Sequence, residues 1–209
     1  FLLGVRRRRP PRAILFPYTT LFRSEEEAVL EAQRRVGAAQ SAALLVLAPR
    51  HPNRFDEVAG WLERQGIAFM RRSRASTADA AGARLNVLLL DTLGELLDFY
   101  AAADVAFVGG SLAPIGGHNL LEPASLGLPV LTGPHNSNGE DIARLLLDCG
   151  AAEIVRNGKQ LGARVAELLA DPAQRAEIGS RGRAAVDRNR GALEKLLRLI
   201  DPLLEESGA

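Results

Sequence analysis

The chain has 209 residues, 47% of them apolar and 24% charged, with a formal net charge of +1. That composition excludes disorder as the default and gives enough apolar chain to bury a core, as one domain or as a domain with tails. A single cysteine, Cys149, excludes an intramolecular disulfide and suits a reducing cytoplasm; three histidines at no metal-ligand spacing give no metal site; and no run reaches the roughly 18 to 20 apolar residues that cross a bilayer.

The charge is unevenly spread along the chain. Arg6, Arg7, Arg8, Arg9, Arg12 and Arg23 fall in the first 24 residues, where no acid occurs; taking these six from 26 basic residues leaves 20 against 25 acidic, a net charge of −5 over the remainder. A basic start suits a nucleic-acid arm, a transit peptide or a signal n-region, but no apolar h-region or small-residue cleavage site follows it. The stretch from Arg9 to Ser24 instead resembles translated sequencing-adapter sequence. Residues 1–24 are therefore expected to be non-native or disordered. The native domain is expected to run over 25–209, with no basic tail left to hold nucleic acid.

From Glu25 the pattern alternates helix and strand, which argues for an α/β fold: a doubly wound, Rossmann-like parallel sheet flanked by helices. The periodicity predicts a helix from Glu25 to Val36, a strand from Ala43 to Ala48, a helix from Arg54 to Gln65 and a short strand from Ile67 to Met70. Arg71 to Gly82 is polar and loop-like. Val87 to Leu90 reads as a strand, Thr92 to Ala103 as a helix capped by Asp91 or Thr92, and Val105 to Val108 as a strand. After a glycine-rich segment come a strand at Val130-Leu131, a helix from Ile142 to Cys149 and a strand from Ala152 to Val155. Helices over Leu161 to Leu169 and Ala173 to Leu204 follow, the second bent near Gly179 to Gly182. No internal repeat or linker suggests a second domain.

Gly109 to Gly127 carries the chemistry. Gly109-Gly110 lets the chain turn sharply after the apolar strand, and Gly116-Gly117 repeats this. Asn119 is placed to cap a helix of about two turns by the usual spacing rules, because Pro123 is tolerated only in a first turn and Gly127 with Pro129 ends the segment. Free amides and the positive helix end favour an anion, while Glu122, one turn in, suits a vicinal diol. That combination fits the adjacent phosphate and ribose of a nucleotide. The plainer reading is a capping box of Asn119 and Glu122 beside turn-forming glycines.

Ligands of open parallel sheets bind beyond the carboxyl ends of the strands. Pro49-Arg50-His51-Pro52, Asp91-Thr92-Leu93-Gly94-Glu95 and Gly133-Pro134-His135-Asn136 each follow a strand, so His51, His118 and His135 belong to one rim.

Five ordered motifs lie along this rim and its strands. They are Pro-Arg-His-Pro-x-Arg-Phe from Pro49, Asp-Thr-x-Gly-Glu-Leu from Asp91, Ala-Asp-Val-Ala-Phe-Val-Gly-Gly-Ser from Ala103, Gly-Gly-His-Asn-x-Leu-Glu-Pro-Ala from Gly116, and Gly-Pro-His from Gly133. With them the stretch from about Glu25 to Leu199 resembles the C-terminal half of the 3-deoxy-D-manno-octulosonic acid (Kdo) transferases of lipopolysaccharide synthesis, which have the two-domain B-type glycosyltransferase fold. The resemblance implies a domain that binds the donor CMP-Kdo. A missing N-terminal domain would carry the lipid A precursor acceptor site, the membrane association at the cytoplasmic face of the inner membrane, and the catalytic base. No catalytic residue is then expected in this chain.

The resemblance also implies roles for particular residues. Pro49 and Arg50 would meet the CMP phosphate, where a planar guanidinium suits two oxygens. Leu93, Gly94 and Glu95 would wall the cytosine. Gly116, Gly117, His118, Asn119, Leu120, Leu121 and Glu122 would hold ribose and phosphate. Ser111, His118 and His135 either contact the Kdo unit or order the loops. Transfer would be inverting and independent of metal or cofactor, and no Asp-x-Asp clamp for a divalent ion occurs in the chain. Two alternatives stay open: a UDP-sugar enzyme of the same fold, such as a transferase or a UDP-N-acetylglucosamine 2-epimerase, and a non-catalytic nucleotide-binding domain.

Overall fold

The computed structural model describes residues 13–18, 23–40, 42–75 and 86–189. Seven parallel strands form one sheet: β1 (Ala13–Tyr18), β2 (Leu44–Pro49), β3 (Met70–Arg71), β4 (Val87–Leu89), β5 (Val105–Val108), β6 (Val130–Thr132) and β7 (Ala152–Ile154), in the order β3-β4-β2-β1-β5-β6-β7. The helices are α1 (Arg23–Ala39), α2 (Phe55–Arg64), α3 (Leu96–Ala102), α4 (Leu121–Ser125), α5 (Glu140–Asp148), α6 (Gly158–Ala170) and α7 (Pro172–Asn189).

Each inner strand is apolar on both faces because helices cover both. On β2, Leu45 and Leu47 face a core built with α1, α2 and α6, while Val46 and Ala48 face a second core closed by Tyr100 of α3 and by Leu128. Val108 and Val130 continue into a third cluster with Leu120, Ala124, Leu146 and Ala185. The chain winds one way from β1 to β2 and the other way to β5. The switch point therefore lies between β1 and β5, and ligands of such sheets bind beyond the carboxyl ends of the strands beside it.

The expected boundary at Glu25 leaves out β1, which the structure puts at the sheet centre. Ile14 and Leu15 are buried on its two faces, and the strand runs in register from Ala13 opposite Leu44 to Tyr18 opposite Pro49. An apolar strand fits between β2 and β5 because both present a free ladder edge there.

Other expectations change in detail. β3 is two residues long, and the polar segment after it begins with a short 3-10 turn, Arg72–Arg74; residues 76–85 lie outside the described ones. α3 starts at Leu96 rather than Thr92, with no side-chain cap, because Asp91 and Thr92 bond elsewhere. α7 runs unbroken through the expected bend, and its predicted continuation to Leu204 lies outside the described residues. Gly179 serves close packing instead: a Cβ there would lie 1.8 Å from the Gly127 carbonyl oxygen. Among the described residues no helix is long and apolar enough to cross a membrane.

Candidate nucleotide site

The glycine-rich segment leaves the sheet at Val108 and is held from the side. Glu25, in the first turn of α1 and 3% exposed, accepts hydrogen bonds from three successive amides, those of Gly110 (2.8 Å), Ser111 (2.9 Å) and Leu112 (2.7 Å). Such a run of amides is a ready anion cradle, and here its anion belongs to the chain. The sequence reading expects free amides for a phosphate one segment later, at the start of the helix beside Asn119. In the structure the amides of Gly110, Ser111 and Leu112 go to Glu25, because a buried carboxylate needs its charge met and this turn meets it.

Ser111 then joins two loops. Its hydroxyl donates to the Val108 carbonyl and accepts from the Gly133 amide, both at 2.7 Å, while its carbonyl accepts from the His135 amide at 3.0 Å. The Gly117 amide closes back on the Gly110 carbonyl at 2.7 Å. Gly110 has φ +72°, and a Cβ on it would lie 2.7 Å from Nε2 of His118. Only glycine lets the imidazole rest on that backbone.

His118 is half-buried, and its pKa is pushed below the ordinary imidazole value. Burial is the largest cause, Arg50 and His51 add repulsion, and Glu25 opposes them. These charges place Arg50 and His51, from the loop after β2, around the same imidazole as Glu25. The β2 loop is itself anchored to α1, since Nη2 of the buried Arg54 donates to the buried Glu26 at 2.5 Å.

α4 is shorter than expected, five residues, with Leu120 as its N-cap residue. Asn119 precedes that cap; its Oδ1 accepts from the Leu121 amide at 3.0 Å and its Nδ2 donates to Glu122 at 3.1 Å. The capping role assigned from sequence is thus displaced by one residue, because the tight turn at Gly116-Gly117 delivers Asn119 still outside the helix. The Leu120 side chain is buried in the core, so only its backbone is available to a ligand, whereas Asn119 is exposed and Glu122 half-buried.

Leu93-Gly94-Glu95 follows β4 and is braced from β3. The buried Asp91 accepts from the Ser73 amide (2.7 Å), the Ser73 hydroxyl (2.6 Å) and Nε of Arg71 (2.6 Å). Burial alone would raise the Asp91 pKa, but Ser73 and Arg71 outweigh it and hold the carboxyl below its usual range. Glu95 accepts from the Thr92 hydroxyl and from Nη2 of Arg72, which lower its pKa in turn. Leu93 is left 70% exposed. Arg71, Arg72 and Ser73 were not legible as site residues, because nothing local ties a polar turn to a carboxylate 18 residues on.

The motif residues therefore stand at the carboxyl ends of β2, β4 and β5. Three strand spacings separate β4 from β5, about 14 Å, the scale of a nucleoside monophosphate. Beyond β6 an open depression of about 510 Å³ is lined by Pro134, His135, Asn136, Glu140, Arg144 and Ile154, among others.

No family model matches the chain. It is 40% identical over 184 residues to the 3-deoxy-D-manno-octulosonic acid transferase of Haemophilus influenzae, covering 88% of this chain and 42% of that protein. It is 42% identical over 167 residues to the enzyme of the same name from Bordetella pertussis, covering 80% and 39%. Among solved structures, the C-terminal CMP-Kdo binding domain of WaaA from Acinetobacter baumannii superposes with a TM-score of 0.75 and 31% identity, over 85% of this chain and 91% of that domain. The chain belongs to the Kdo transferase family.

Its sheet and flanking helices are one half of the B-type glycosyltransferase fold. The chain spans about two fifths of the length of the curated Kdo transferases it matches. In this Kdo transferase domain, Arg50 and His51 after β2 and the His118–Glu122 segment after β5 lie on the two sides of the switch point, and the Leu93–Glu95 wall stands one strand beyond β2.

Proposed function

We propose that this domain binds the CMP portion of CMP-Kdo, as half of an enzyme that transfers Kdo to a lipid A precursor at the cytoplasmic face of the inner membrane. Arg50 meets the phosphate with a planar cation matched to two oxygens. Glu122, anchored by Asn119, takes the ribose diol, with the backbone of Gly116, Gly117, Leu120 and Leu121 shaping the pocket around it. Pro49 and the Leu93-Gly94-Glu95 turn set its far walls. His118, kept neutral by its surroundings, offers a hydrogen bond without adding charge.

Loss of CMP places negative charge on the phosphate as the glycosidic bond breaks, and groups fixed beforehand around that phosphate lower the barrier. Deprotonation of the acceptor hydroxyl needs a base within hydrogen-bond reach, which this reading assigns to the other domain. The isolated chain is then expected to bind CMP and to transfer nothing.

The observation that supports this most is that Arg50 and His51, after β2, face His118, after β5, with Glu122 four residues further on, in a domain 31% identical to a CMP-Kdo binding domain. Titration calorimetry tests it. CMP should bind more tightly than UMP, and Glu122→Gln should weaken CMP about tenfold, the loss of one charge-assisted pair of hydrogen bonds. Unchanged affinity in Glu122→Gln removes Glu122 from the pocket, and a preference for UMP favours a UDP-sugar enzyme.

A further inference from the structure

The loops after β5 and β6 are joined beside the switch point, and one side chain from α1 holds the backbone of the first of them. Glu25 is buried, comes from α1, and receives the amides of Gly110, Ser111 and Leu112 at 2.7–2.9 Å. The residues it holds lead directly to the pocket. Gly110 supports the His118 ring and accepts from the Gly117 amide, and Ser111 carries the loop of Gly133 and His135. Two residues after Gly117, Asn119 begins the segment that ends at Glu122.

Three amides converging on one point repel one another unless an anion sits among them. Without it, water would have to replace a carboxylate in a space that is closed, or the turn would have to reopen. We propose that Glu25 is a built-in counter-anion, a positioning residue that fixes the Gly110–Leu112 turn and through it the placement of His118, Asn119 and Glu122 for nucleotide binding. Glu25 touches no ligand in this scheme. It acts through the turn, as an internal substitute for the phosphate that such a cradle takes in other proteins. The proposal rests on the nucleotide reading for its effect on CMP, but its effect on the turn stands apart from that reading.

The experiment uses the 209-residue chain and two variants, Glu25→Ala, which empties the cradle, and Glu25→Gln, which keeps the shape and removes the charge. Amide hydrogen exchange reads the turn, and calorimetry reads CMP. Glu25→Ala should lose protection at Gly110, Ser111 and Leu112 and bind CMP roughly tenfold more weakly, on the scale of a charge-assisted hydrogen bond. Glu25→Gln should fall between Glu25→Ala and the parent. Formate, a small carboxylate that fits the emptied cradle, should restore both readouts in Glu25→Ala at concentrations where chloride does not. A general loss of packing would give no such selectivity.

Protection at the three amides equal to the parent in Glu25→Ala overturns the proposal, as does restoration by chloride and formate alike. So does full CMP affinity in Glu25→Ala alongside an unprotected turn. If the parent itself fails to bind CMP, the donor reading falls, while formate-dependent protection of the turn still decides the role of Glu25.

Discussion

Asp91 is the hinge of the braced wall, and its replacement by asparagine gives the sharpest test of how that wall is held. The carboxylate accepts three hydrogen bonds, from the Ser73 amide, the Ser73 hydroxyl and the Arg71 guanidinium, at 2.6–2.7 Å, and its side chain is 1% exposed. Asparagine keeps one acceptor oxygen and presents an NH₂ to a donor, so it breaks the ion pair and one further bond. Breaking a buried pair while the arginine keeps its exposed partner Asp56 should cost about 3 kcal/mol. With about 0.4 kcal/mol per kelvin of unfolding entropy for a domain of this size, that is a fall in Tm of about 7 °C. The pH dependence follows from the depressed pKa. Asp91 contributes stability that is present above the unfolded carboxyl value of about 3.9 and is lost as pH falls through its lower folded value. The parent should therefore lose stability below about pH 4 more steeply than Asp91→Asn. Thermal scans at pH 7 and between pH 5 and 3 measure both effects. A Tm within 1–2 °C of the parent at pH 7, or the same acid slope in both proteins, would refute the bracing by Asp91.

Two further outcomes are expected. Gly179→Ala places a methyl where a carbonyl oxygen lies 1.8 Å away, so α7 must lift from Gly127; about 3 kcal/mol of destabilisation should appear in urea unfolding, whereas Gly37→Ala in α1, with open space at its Cβ, should be neutral or slightly stabilising. His118 is held below the ordinary imidazole value, so as pH falls past about 6.5 the unfolded chain takes up a proton before the folded one and stability declines. His118→Gln should flatten the Tm profile between pH 7 and 5, and an unaltered profile would show that His118 does not titrate as its surroundings require.

Much of the layout was legible because α/β folds write their strands as short apolar runs. β5 matches its predicted span residue for residue, and β2, β4, β6 and β7 fall within a residue or so of theirs. β1 went unread for a different reason. Ala-Ile-Leu-Phe-Pro-Tyr has the apolar content of a buried strand, but it sits in a stretch that resembles adapter sequence, and Pro17 argues against a central strand because it brings no N–H to the ladder. Its place in the sheet follows only from the edges that β2 and β5 would otherwise leave open. The Gly179 to Gly182 spacing was misread in the same way. Locally it suggests a bend, and only the position of Gly127 shows that it lets two backbones approach.

The glycine-rich turn carries the same lesson at the site itself. Free amides are expected from sequence at the helix start beside Asn119, but the turn before it presents three of its own at Gly110, Ser111 and Leu112, and these too invite an anion. Which anion arrives is decided by what else is near. Glu25 lies 85 residues from Gly110 and is brought there by the β1-to-β5 pairing and the course of α1. Once it is seated, the turn has no amides left for a nucleotide and becomes a rigid support. In the proposed reading, recognition then falls to Arg50, His118 and the Asn119–Glu122 segment. The turn's glycines are needed for shape rather than for contact, and the pocket's affinity should depend on a carboxylate that never meets the ligand.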